Sequence, residues 1–558
     1  MSNGGRNRTR SQRVASLELP PTRVERLAIR VRQADVLTRI GLCLLAAAAL
    51  VVLTEAWKPP FPYRKDYTPT HDIVARVALT VPEARDPKLL THLAAGQPLA
   101  QAGKPLGPED VRLLRFEHEA WLAKIPRMHL FFRGLAALFM VLGLTGFVGL
   151  YLAYREPRWL HSISRFGTLL GLLVGAIALS DWASADPWRA EIIPPLLLGM
   201  TVAIAYTQEL AVVMSAIVSA TLVVVTGQGL PDLLLLTGVV TSAILMLGRV
   251  RSRSKLIKVG FLAGIMAIAL TVCVHVLEGQ PLATPLLVTA LFNGVWAVAA
   301  GFLMTGLLPF IERRFGVLTE ISLLELGDIA HPLLQELVRR APGTYNHSIN
   351  VASLAEAAAD AIGGNGLLVR VGAYFHDIGK MFKPGYFVEN QGDAASRHES
   401  LVPAMSTLII IAHVKDGADL ARQHHLPKPI VDFIEQHHGT TLVEYFYHRA
   451  NQQSEANPHG AAVEENAYRY PGPKPQTREA AVLMLADAVE GASRVLVEPT
   501  PARIENLVRE IALKRLHDGQ FDESGLDLQE LRTIQDSLVK SLTAVYHGRV
   551  KYPNQRTA

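Results

Sequence analysis

The apolar residues of this chain are concentrated in one part of it. Long apolar runs follow one another between about residues 40 and 310, whereas apolar residues beyond Arg314 recur at helical spacing among polar ones. A helix needs about 20 predominantly apolar residues to cross a bilayer. The pattern therefore predicts an all-α chain with a polytopic helical membrane domain followed by a second helical domain.

Eight apolar runs have the composition of membrane helices. They lie at about 37–57, 131–154, 166–180, 192–206, 210–227, 231–248, 257–277 and 286–310. The fourth run is short and contains Pro194 and Pro195, so a re-entrant hairpin, which would leave six spans, stays open. Glu209 and Asp232 are expected at the ends of spans, with a functional role inside the membrane as the alternative.

Basic residues follow the second, the sixth and the last of these runs. They are Arg155, Arg158 and Arg165, then the cluster from Arg249 to Lys258, then Arg313 and Arg314. Positive charge favours the cytoplasmic side, so both termini are predicted to be cytoplasmic, which requires an even number of spans. No small-residue cleavage site follows the first run, which we interpret as an uncleaved anchor rather than a signal peptide.

Gly and Pro punctuate the helical pattern beyond the last run. The pattern predicts helices at about 320–340, 345–362, 367–381, 402–416, 428–438, 477–495, 501–518 and 526–546. Gly363, Gly417 and Gly439 are placed to end three of them, and Thr477 to begin one. The polar stretch 449–476 is predicted to be a surface loop.

These patterns divide the chain into six parts. They are a basic cytoplasmic N-terminus (1–36), a first transmembrane helix (37–57), a short extracytoplasmic segment (58–129), a seven-span transmembrane domain (130–311), a linker (312–340) and a helical domain (341–558). The segment 58–129 is polar and is expected to be irregular.

Composition and charge exclude some classes of function. The formal net charge of +5 is small and much of it lies near predicted span ends, so we attribute it to topology rather than to binding of a nucleic-acid polymer. Cys43 and Cys273 both lie inside apolar runs. They provide no thiolate metal site.

Histidines are concentrated in the second half, with thirteen of nineteen beyond residue 315. Five of them form a series with two aspartates: His347, His376, Asp377, His413, His437, His438 and Asp487. Asp487 shares a predicted helix with Leu483 and Met484 in a strongly apolar run. An unpaired carboxylate buried there would cost several kcal/mol or shift its pKa, and a bound metal would remove that penalty.

The chemistry of this series points to metals that accept nitrogen and oxygen ligands. Imidazole and carboxylate without thiolate suit Fe, Mn or Zn. Seven such groups exceed the needs of one ion and match two ions bridged by a carboxylate, for which Asp377 is the natural choice. Two neighbouring metals can hold a hydroxide for phosphoryl transfer. Lys380 is placed either to neutralise a phosphate or to end a helix in solvent.

Five stretches of the helical domain carry a resemblance. They are APGTYNHS, RVGAYFHDIGKM, LIIIAHVKDG, VDFIEQHHGTT and YPGPKPQTREAAVLMLADAVE. HDIGK with an upstream His and a downstream Asp is similar to the HD phosphohydrolase superfamily. Together the stretches resemble membrane HD proteins of the PgpH type, which are bacterial cyclic di-AMP phosphodiesterases. The resemblance covers the second half almost end to end and the multispan region before it.

The resemblance implies a ligand set, a reaction and a substrate. One metal would be held by His347, His376, Asp377 and Asp487, and the second by Asp377, His413, His437 and His438. The metals would be Mn or Fe, and a hydroxide between them would open cyclic di-AMP to pApA. Asp377 and Lys380 are the expected catalytic residues, and Lys380, Tyr386, Phe387 and Asn390 are expected to contact substrate.

Two features depart from the family pattern. Asn346 and His347 stand where the family commonly has His-His, and spacing to the HD pair favours His347 as the ligand. The family's long extracytoplasmic sensor is here only about seventy residues, which puts extracellular ligand sensing in doubt.

Other functions stay open at this point. One is hydrolysis of another nucleotide, such as cyclic di-GMP, although HHGTTLVEYFYH lacks the Gly-Tyr-Pro signature of that branch. Another is a signalling receptor that binds nucleotide without turnover. For the preferred function, the chain is expected in the bacterial inner membrane with the HD domain in the cytoplasm. Cyclic di-AMP and lipid are the expected partners, and a homodimer is left open.

Overall fold

The computed structural model describes residues 34–82, 90–155, 162–185, 188–248, 250–279, 281–392, 396–456 and 462–547. Within these ranges the chain forms two compact units, Met1–Ile311 and Glu312–Ala558. Most of the predicted basic N-terminus (1–36) lies outside the described residues, as do Arg158 and Arg249.

Every apolar run of the first unit is a helix. The helices are α1 (Ala34–Leu53), α3 (Arg127–Arg155), α4 (Ile163–Ala183), α5 (Ile193–Ala205), α6 (Gln208–Thr226), α7 (Leu230–Leu247), α8 (Arg253–Leu277) and α9 (Thr284–Phe315). Seven of them, all except α5, are long and apolar enough to cross a membrane. Large apolar side chains such as Phe139, Phe147 and Phe310 are exposed on these helices, as expected for surfaces that face lipid.

The short helix α5 accommodates its two prolines because they lie at its start. Pro194 and Pro195 lie in its first turn, where a missing N–H costs no helical hydrogen bond. The acidic residues nearby also lie at helix starts: Glu209 in the first turn of α6, and Asp232 in the first turn of α7, where it accepts a hydrogen bond from the Gly229 N–H at 3.1 Å. The expected placement of both carboxylates at helix ends therefore agrees with the structure.

The segment between α1 and α3 is more regular than we expected. It contains the strands β1 (Ile73–Val74), β2 (Leu79–Pro82), β3 (Leu90–Leu93) and β4 (Pro98–Ala100), and the helix α2 (Pro108–Lys124). The strands form two antiparallel pairs, β1 with β4 and β2 with β3. Arg76 donates to the buried carboxylate of Glu117 at 2.7 Å and stacks over Trp121 at 3.9 Å. This ion pair ties α2 to the strands.

The second unit is helical throughout its described part. Its helices are α10 (Glu320–Leu326), α11 (Pro332–Arg340), α12 (Pro342–Ala361), α13 (Gly366–Phe375), α14 (Pro403–Gln423), α15 (Lys428–Gln436), α16 (Glu444–Glu455), α17 (Arg478–Ser493), α18 (Pro501–His517) and α19 (Leu528–His547). Short 3₁₀ turns follow α13 at Ile378–Phe382, Pro384–Tyr386 and Val388–Asn390, and one precedes α17 at Glu465–Tyr468. One hydrophobic core runs through the helices, with Phe375, Ile434, Leu483 and Ile534 fully or almost fully buried.

Four boundaries in this unit differ from the sequence prediction. The predicted helix 367–381 ends at Phe375 and is followed by 3₁₀ turns. The predicted helix 320–340 is broken in two between α10 and α11. Gly417 does not end α14, because it packs against the backbone of Gly379 and the helix continues to Gln423. The predicted loop 449–476 begins inside α16, whose polar composition hid its helical pattern. Gly363 and Gly439 have φ values of +68° and +53°, and Thr477 caps α17 through the Ala480 N–H, as predicted.

Helices α8 and α9 approach each other through glycine. A Cβ built on Gly301 would lie 2.7 Å from the Cα of Gly260 and 3.0 Å from the carbonyl oxygen of Leu256. A Cβ on Gly264, one turn further along α8, would lie 2.8 Å from the carbonyl oxygen of Gly294. Small residues one turn apart are a common means of close packing between membrane helices.

Replacing Gly301 by Leu should therefore destabilise the first unit by about 1–3 kcal/mol, because the side chain has no space between the helices. Gly306→Leu is the matched control on the same helix, since no atom lies within 4 Å of a Cβ there. Thermal unfolding of both variants in detergent measures the difference. Equal unfolding temperatures would show that α8 and α9 do not pack through these glycines.

Candidate metal centre

The seven residues of the predicted ligand series meet in one place. His347 lies on α12, His376 and Asp377 directly follow α13, His413 lies on α14, His437 and His438 follow α15, and Asp487 lies on α17. Their nitrogen and oxygen atoms form two groups, each with all ligand atoms within 4.8 Å of one another. One group is His347, His376 and Asp487, and the other is Asp377, His413, His437 and His438.

Asp377 lies between the two groups. Its Oδ2 is 3.1 Å from Nε2 of His376 and 3.6 Å from Nε2 of His347. Its Oδ1 is 3.3 Å from Nε2 of His413 and 3.7 Å from Nε2 of His437. Each oxygen thus faces a different group of imidazoles, which is the arrangement that a bridging ligand requires.

Asp487 also reaches both groups, which the sequence did not predict. Its Oδ1 is 2.9 Å from Nε2 of His347, and its Oδ2 is 3.8 Å from Nδ1 of His438. The ring of His438 stacks on Tyr470 with centroids 4.3 Å apart. The aromatic ring therefore fixes the plane of the one histidine in the cluster that is partly exposed.

Close backbone packing brings the HD pair to α14. A Cβ on Gly379, two residues after Asp377, would overlap the carbonyl oxygen of His413. Only glycine allows the chain after Asp377 to lie this close to α14. This contact explains why the flexible Ile-Gly of the HDIGK stretch follows the metal-ligand pair directly.

Three of the histidines are oriented by the backbone of their own helical turn. The Nδ1 atoms of His376, His413 and His437 lie 2.7, 2.5 and 2.8 Å from the carbonyl oxygens three residues earlier. A carbonyl can only accept a hydrogen bond, so each Nδ1 carries a proton. Each Nε2 is then the atom that points into the cluster and is able to bind a metal in the neutral ring.

His347 is oriented differently, by a carboxylate that sequence reasoning missed. Its Nδ1 lies 2.6 Å from Oε2 of Glu490, which is 4% exposed. The other oxygen of Glu490 accepts from Arg494 at 2.7 Å and from Asn350 at 3.3 Å. The only sequence signal was the spacing, because Glu490 follows Asp487 by three residues and so lies on the same face of α17.

Four of the histidines fall into two groups according to the direction in which the site shifts their pKa. Burial opposes charge on His376, but the carboxylates of Asp377 and Asp487 outweigh it and raise its pKa to about 10. Burial likewise opposes charge on His347, yet hydrogen bonds with Asp487 and Glu490 raise its pKa. Burial and neighbouring imidazoles hold the pKa of His438 well below its ordinary value, and burial also lowers the pKa of His437.

The buried polar atoms of the cluster fit a metal. Nε2 of His376 and both carboxylate oxygens of Asp377 are buried and take part in no well-aligned hydrogen bond, although charged groups lie nearby. Buried polar groups are normally satisfied by protein, water or an ion. A divalent cation would satisfy these atoms together, and imidazole with carboxylate is a donor set that Mn, Fe and Zn accept.

Only some of the four predicted substrate-contacting residues lie beside the ligand cluster. Lys380 is not a solvated helix end: its Nζ lies 2.7 Å from Oδ2 of Asp377 and 3.0 Å from Oε1 of Glu389. Phe387 lies beside the cluster, with its ring 5.7 Å from that of His413. Asn390 hydrogen bonds to Thr344.

Tyr386 lies further out. Its carbonyl accepts from Nε2 of His398 at 2.8 Å, and its ring is 5.3 Å from the ring of that histidine. The structure therefore brings Lys380 and Phe387 to the cluster, whereas Asn390 is engaged with α12 and Tyr386 with His398.

Comparison with known proteins identifies two regions of the chain. Residues 344–492 match the model of the HD domain, and residues 131–319 match the model described as 7TM receptor with intracellular HD hydrolase. The chain therefore contains an HD domain, preceded by a region similar to the membrane part of such receptors. The resemblance in the sequence, the multi-pass membrane character and the all-α class are thereby confirmed.

The chain is similar to two proteins named as cyclic-di-AMP phosphodiesterases. The chain is 43% identical over 313 residues to the cyclic-di-AMP phosphodiesterase PgpH of Bacillus subtilis, covering 56% of this chain and 43% of that protein. It is 42% identical over 333 residues to PgpH of Listeria monocytogenes, covering 59% and 45%. The chain thus spans less than half the length of the curated relatives it matches.

Solved structures of a relative's HD domain are also similar. One is the L. monocytogenes PgpH HD domain in complex with cyclic-di-AMP, at 49% identity and a TM-score of 0.37. The match covers 39% of this chain and all of that chain.

Metal binding to the HD protein should release protons. With a pKa near 10, His376 is charged at pH 7 in the metal-free protein, and a metal ligand must be neutral. We expect at least one proton to be released on binding Mn²⁺ at pH 7, and weaker binding as the pH falls. Calorimetry in buffers with different ionisation enthalpies measures this. Heats that do not depend on the buffer would show that His376 is already neutral.

Glu490→Gln should weaken metal binding by about 10- to 100-fold, because an amide is a poorer acceptor for the Nδ1 proton of His347. Glu498→Gln is a matched control, since Glu498 is exposed and lies beyond the end of α17. Metal content after dialysis against graded chelator compares the two variants. Equal retention of metal would show that Glu490 does not position His347.

Proposed function

We propose that this chain is a membrane-anchored, metal-dependent phosphodiesterase that hydrolyses cyclic di-AMP to pApA. The observation that carries the proposal is the position of Asp377, with one buried oxygen toward each of two imidazole groups. The names of the PgpH relatives support the substrate. The cluster lies within residues 344–492, which match the HD domain.

Two divalent ions, Mn or Fe, would supply a hydroxide nucleophile and neutralise charge on the phosphate when bound. His347, His376, Asp377 and Asp487 would hold one ion. Asp377, His413, His437 and His438 would hold the other. The proposed ligand sets differ from the two separated groups only in sharing Asp377.

The remaining residues of the site have roles of their own in this proposal. Water adds across one phosphodiester bond: its oxygen joins the phosphorus, and the 3′ oxygen of the ribose leaves with a proton, which gives the linear dinucleotide. Lys380 carries a charge that Asp377 and Glu389 hold in place beside the ligand cluster, where it would face the reacting phosphate. A fixed positive charge stabilises the negative charge that develops on the phosphoryl oxygens.

The proposed location is the bacterial inner membrane with the HD domain in the cytoplasm. Arg313 and Arg314 lie in the last turn of α9, and positive charge favours the cytoplasmic side. The C-terminal ends of α4, α6 and α8 and the start of α9 line one common cavity, as expected if successive helices, including the short α5, alternate in direction. This alternation supports eight crossings.

The direct test uses the full chain purified in detergent with Mn²⁺. We expect cyclic di-AMP to be converted to pApA, and the conversion to stop when a chelator is added. Cyclic di-GMP is the comparison substrate. Hydrolysis of cyclic di-GMP alone would move the assignment to another HD branch, and metal binding without any hydrolysis would favour a binding role.

Variants distinguish the role of the metal ligands from that of Lys380. Asp377→Ala should abolish turnover and reduce bound metal, because it removes the bridge, and His347→Ala should cost nearly as much. Lys380→Ala should lower turnover by about 10²-fold while the metal stays bound. Turnover is followed by chromatography and metal by elemental analysis.

His424→Ala is the control for the histidine variant, since His424 is exposed at the end of α14. It should behave as the unchanged protein. Wild-type turnover in Asp377→Ala with unchanged metal would contradict the two-metal proposal. Loss of metal in Lys380→Ala would mean that the lysine supports the ligands rather than the phosphate.

A further inference from the structure

The first unit contains a cavity of about 780 Å³ that the reaction does not use. Its walls are the segment just after α1 and the ends of α4, α7 and α8. Cavities of about 300–1,000 Å³ are typical of small-molecule sites in proteins. The volume is also much larger than a single ion needs.

The wall after α1 is held in place by contacts with the helical part. Arg64 donates to Glu191 at 2.7 Å, and Arg189 donates to the carbonyl oxygen of Lys65 at 2.6 Å. His118 lies 3.1 Å from the carbonyl oxygen of Pro59 through its Nε2. These contacts connect residues far apart in the chain, so the cavity is formed before any ligand binds.

The cavity lining carries an excess of negative charge. Seven of its residues are Asp or Glu, whereas five are Lys or Arg. Two of the basic side chains are already neutralised, Lys58 by Glu55 at 2.6 Å and Arg64 by Glu191.

Three of the acidic residues have no such partner. Asp181 lies on α4, Asp232 on α7 and Glu278 just after α8, and within the described chain none of them pairs with Lys or Arg. The free negative charge is thus contributed by the ends of three different helices. A cationic ligand is the one that this distribution favours.

Two of these carboxylates, Asp232 and Glu278, repel each other. Burial raises the pKa of Glu278, His275 lowers it, and the carboxylate of Asp232 raises it again. Like charges held together in a partly buried place cost free energy, which a bound cation offsets.

Two further oxygens of the lining lack hydrogen-bond donors. Oε2 of Glu191 and Oε1 of Gln228 are buried and accept no hydrogen bond within the described chain. Buried acceptors are normally satisfied, so their environment lacks donors. A ligand that brings several N–H groups would supply them.

The spacing of the acids argues against a single metal ion. Among the described residues, the groups of three or more potential ligands that come within 4.8 Å of one another are both in the HD domain. The acids of the cavity are therefore too far apart to surround one cation. Asp181 on one helix, and Asp232 with Glu278 at the ends of two others, instead match a ligand with two or more separated positive charges.

We propose that this cavity binds a linear organic polycation, a diamine or longer polyamine, with one ammonium group at Asp181 and another at Asp232 and Glu278. Binding at this place is independent of the reaction proposed for the HD domain.

The test measures binding of spermidine to the full chain in nanodiscs of zwitterionic lipid by calorimetry. We expect saturable binding that weakens with added salt, since partly exposed ion pairs are screened. Asp181→Asn, and separately the double change Asp232→Asn with Glu278→Gln, should each weaken it at least tenfold. Glu109→Gln should leave it unchanged, because Glu109 is exposed on α2 and does not line the cavity.

A comparison on the unchanged protein does not depend on how the variants fold. Putrescine should bind at least tenfold more tightly than butylamine, which has a similar carbon chain and only one ammonium group. Equal affinities for the two would overturn the proposal. So would tighter binding of Mg²⁺ or of glutamate, which would assign the cavity to an inorganic cation or to an anion. Absence of saturable binding by spermidine and putrescine would overturn it as well.

Discussion

A carboxylate removed from water is stable only where positive charge or hydrogen-bond donors surround it, and the helical domain is built around one such group. Asp377 is 1% exposed and is reached by side chains on α12 and α14 and by histidines directly after α13 and α15. Lys380 approaches one of its oxygens, and imidazoles approach both. The mutual placement of these helices therefore depends on balancing a single buried negative charge.

The packing of the helices makes this balance possible. Small residues allow the helices to lie close together: α12 buries Ala352, Ala355 and Ala359, and α17 buries Ala480 and Ala486. Glycine at position 379 permits the still closer approach of the HD turn to α14. The long apolar side chains of the core lie behind this layer, so polar ligands and apolar packing occupy the same helices without exposing the cluster to solvent.

Most of the helices and the ligand series could be predicted from the sequence, because both depend on local patterns of residues. Apolar runs of membrane length and the combination of imidazole with carboxylate in an apolar setting are local signals, and they located the helices and the ligand series. Glu490 and the second contact of Asp487 were missed because a hydrogen-bond partner is chosen by the packing of distant segments. Gly417 was misjudged because glycine serves both helix ends and close helix contacts, and the short strands from Ile73 to Ala100 leave too little alternation to detect.

The way in which the imidazoles are oriented has a consequence for how the site tolerates change over evolution. His376, His413 and His437 donate to carbonyl groups of their own helical turn, which any residue at that position supplies. Because the acceptors are main-chain carbonyl groups, substitution of the residues that carry them does not remove the hydrogen bonds that orient these histidines. His347 depends instead on a side chain, Glu490. Residues around His376, His413 and His437 can therefore change during evolution without reorienting these ligands. In contrast, α17 must retain Glu490 for His347 to keep its orientation.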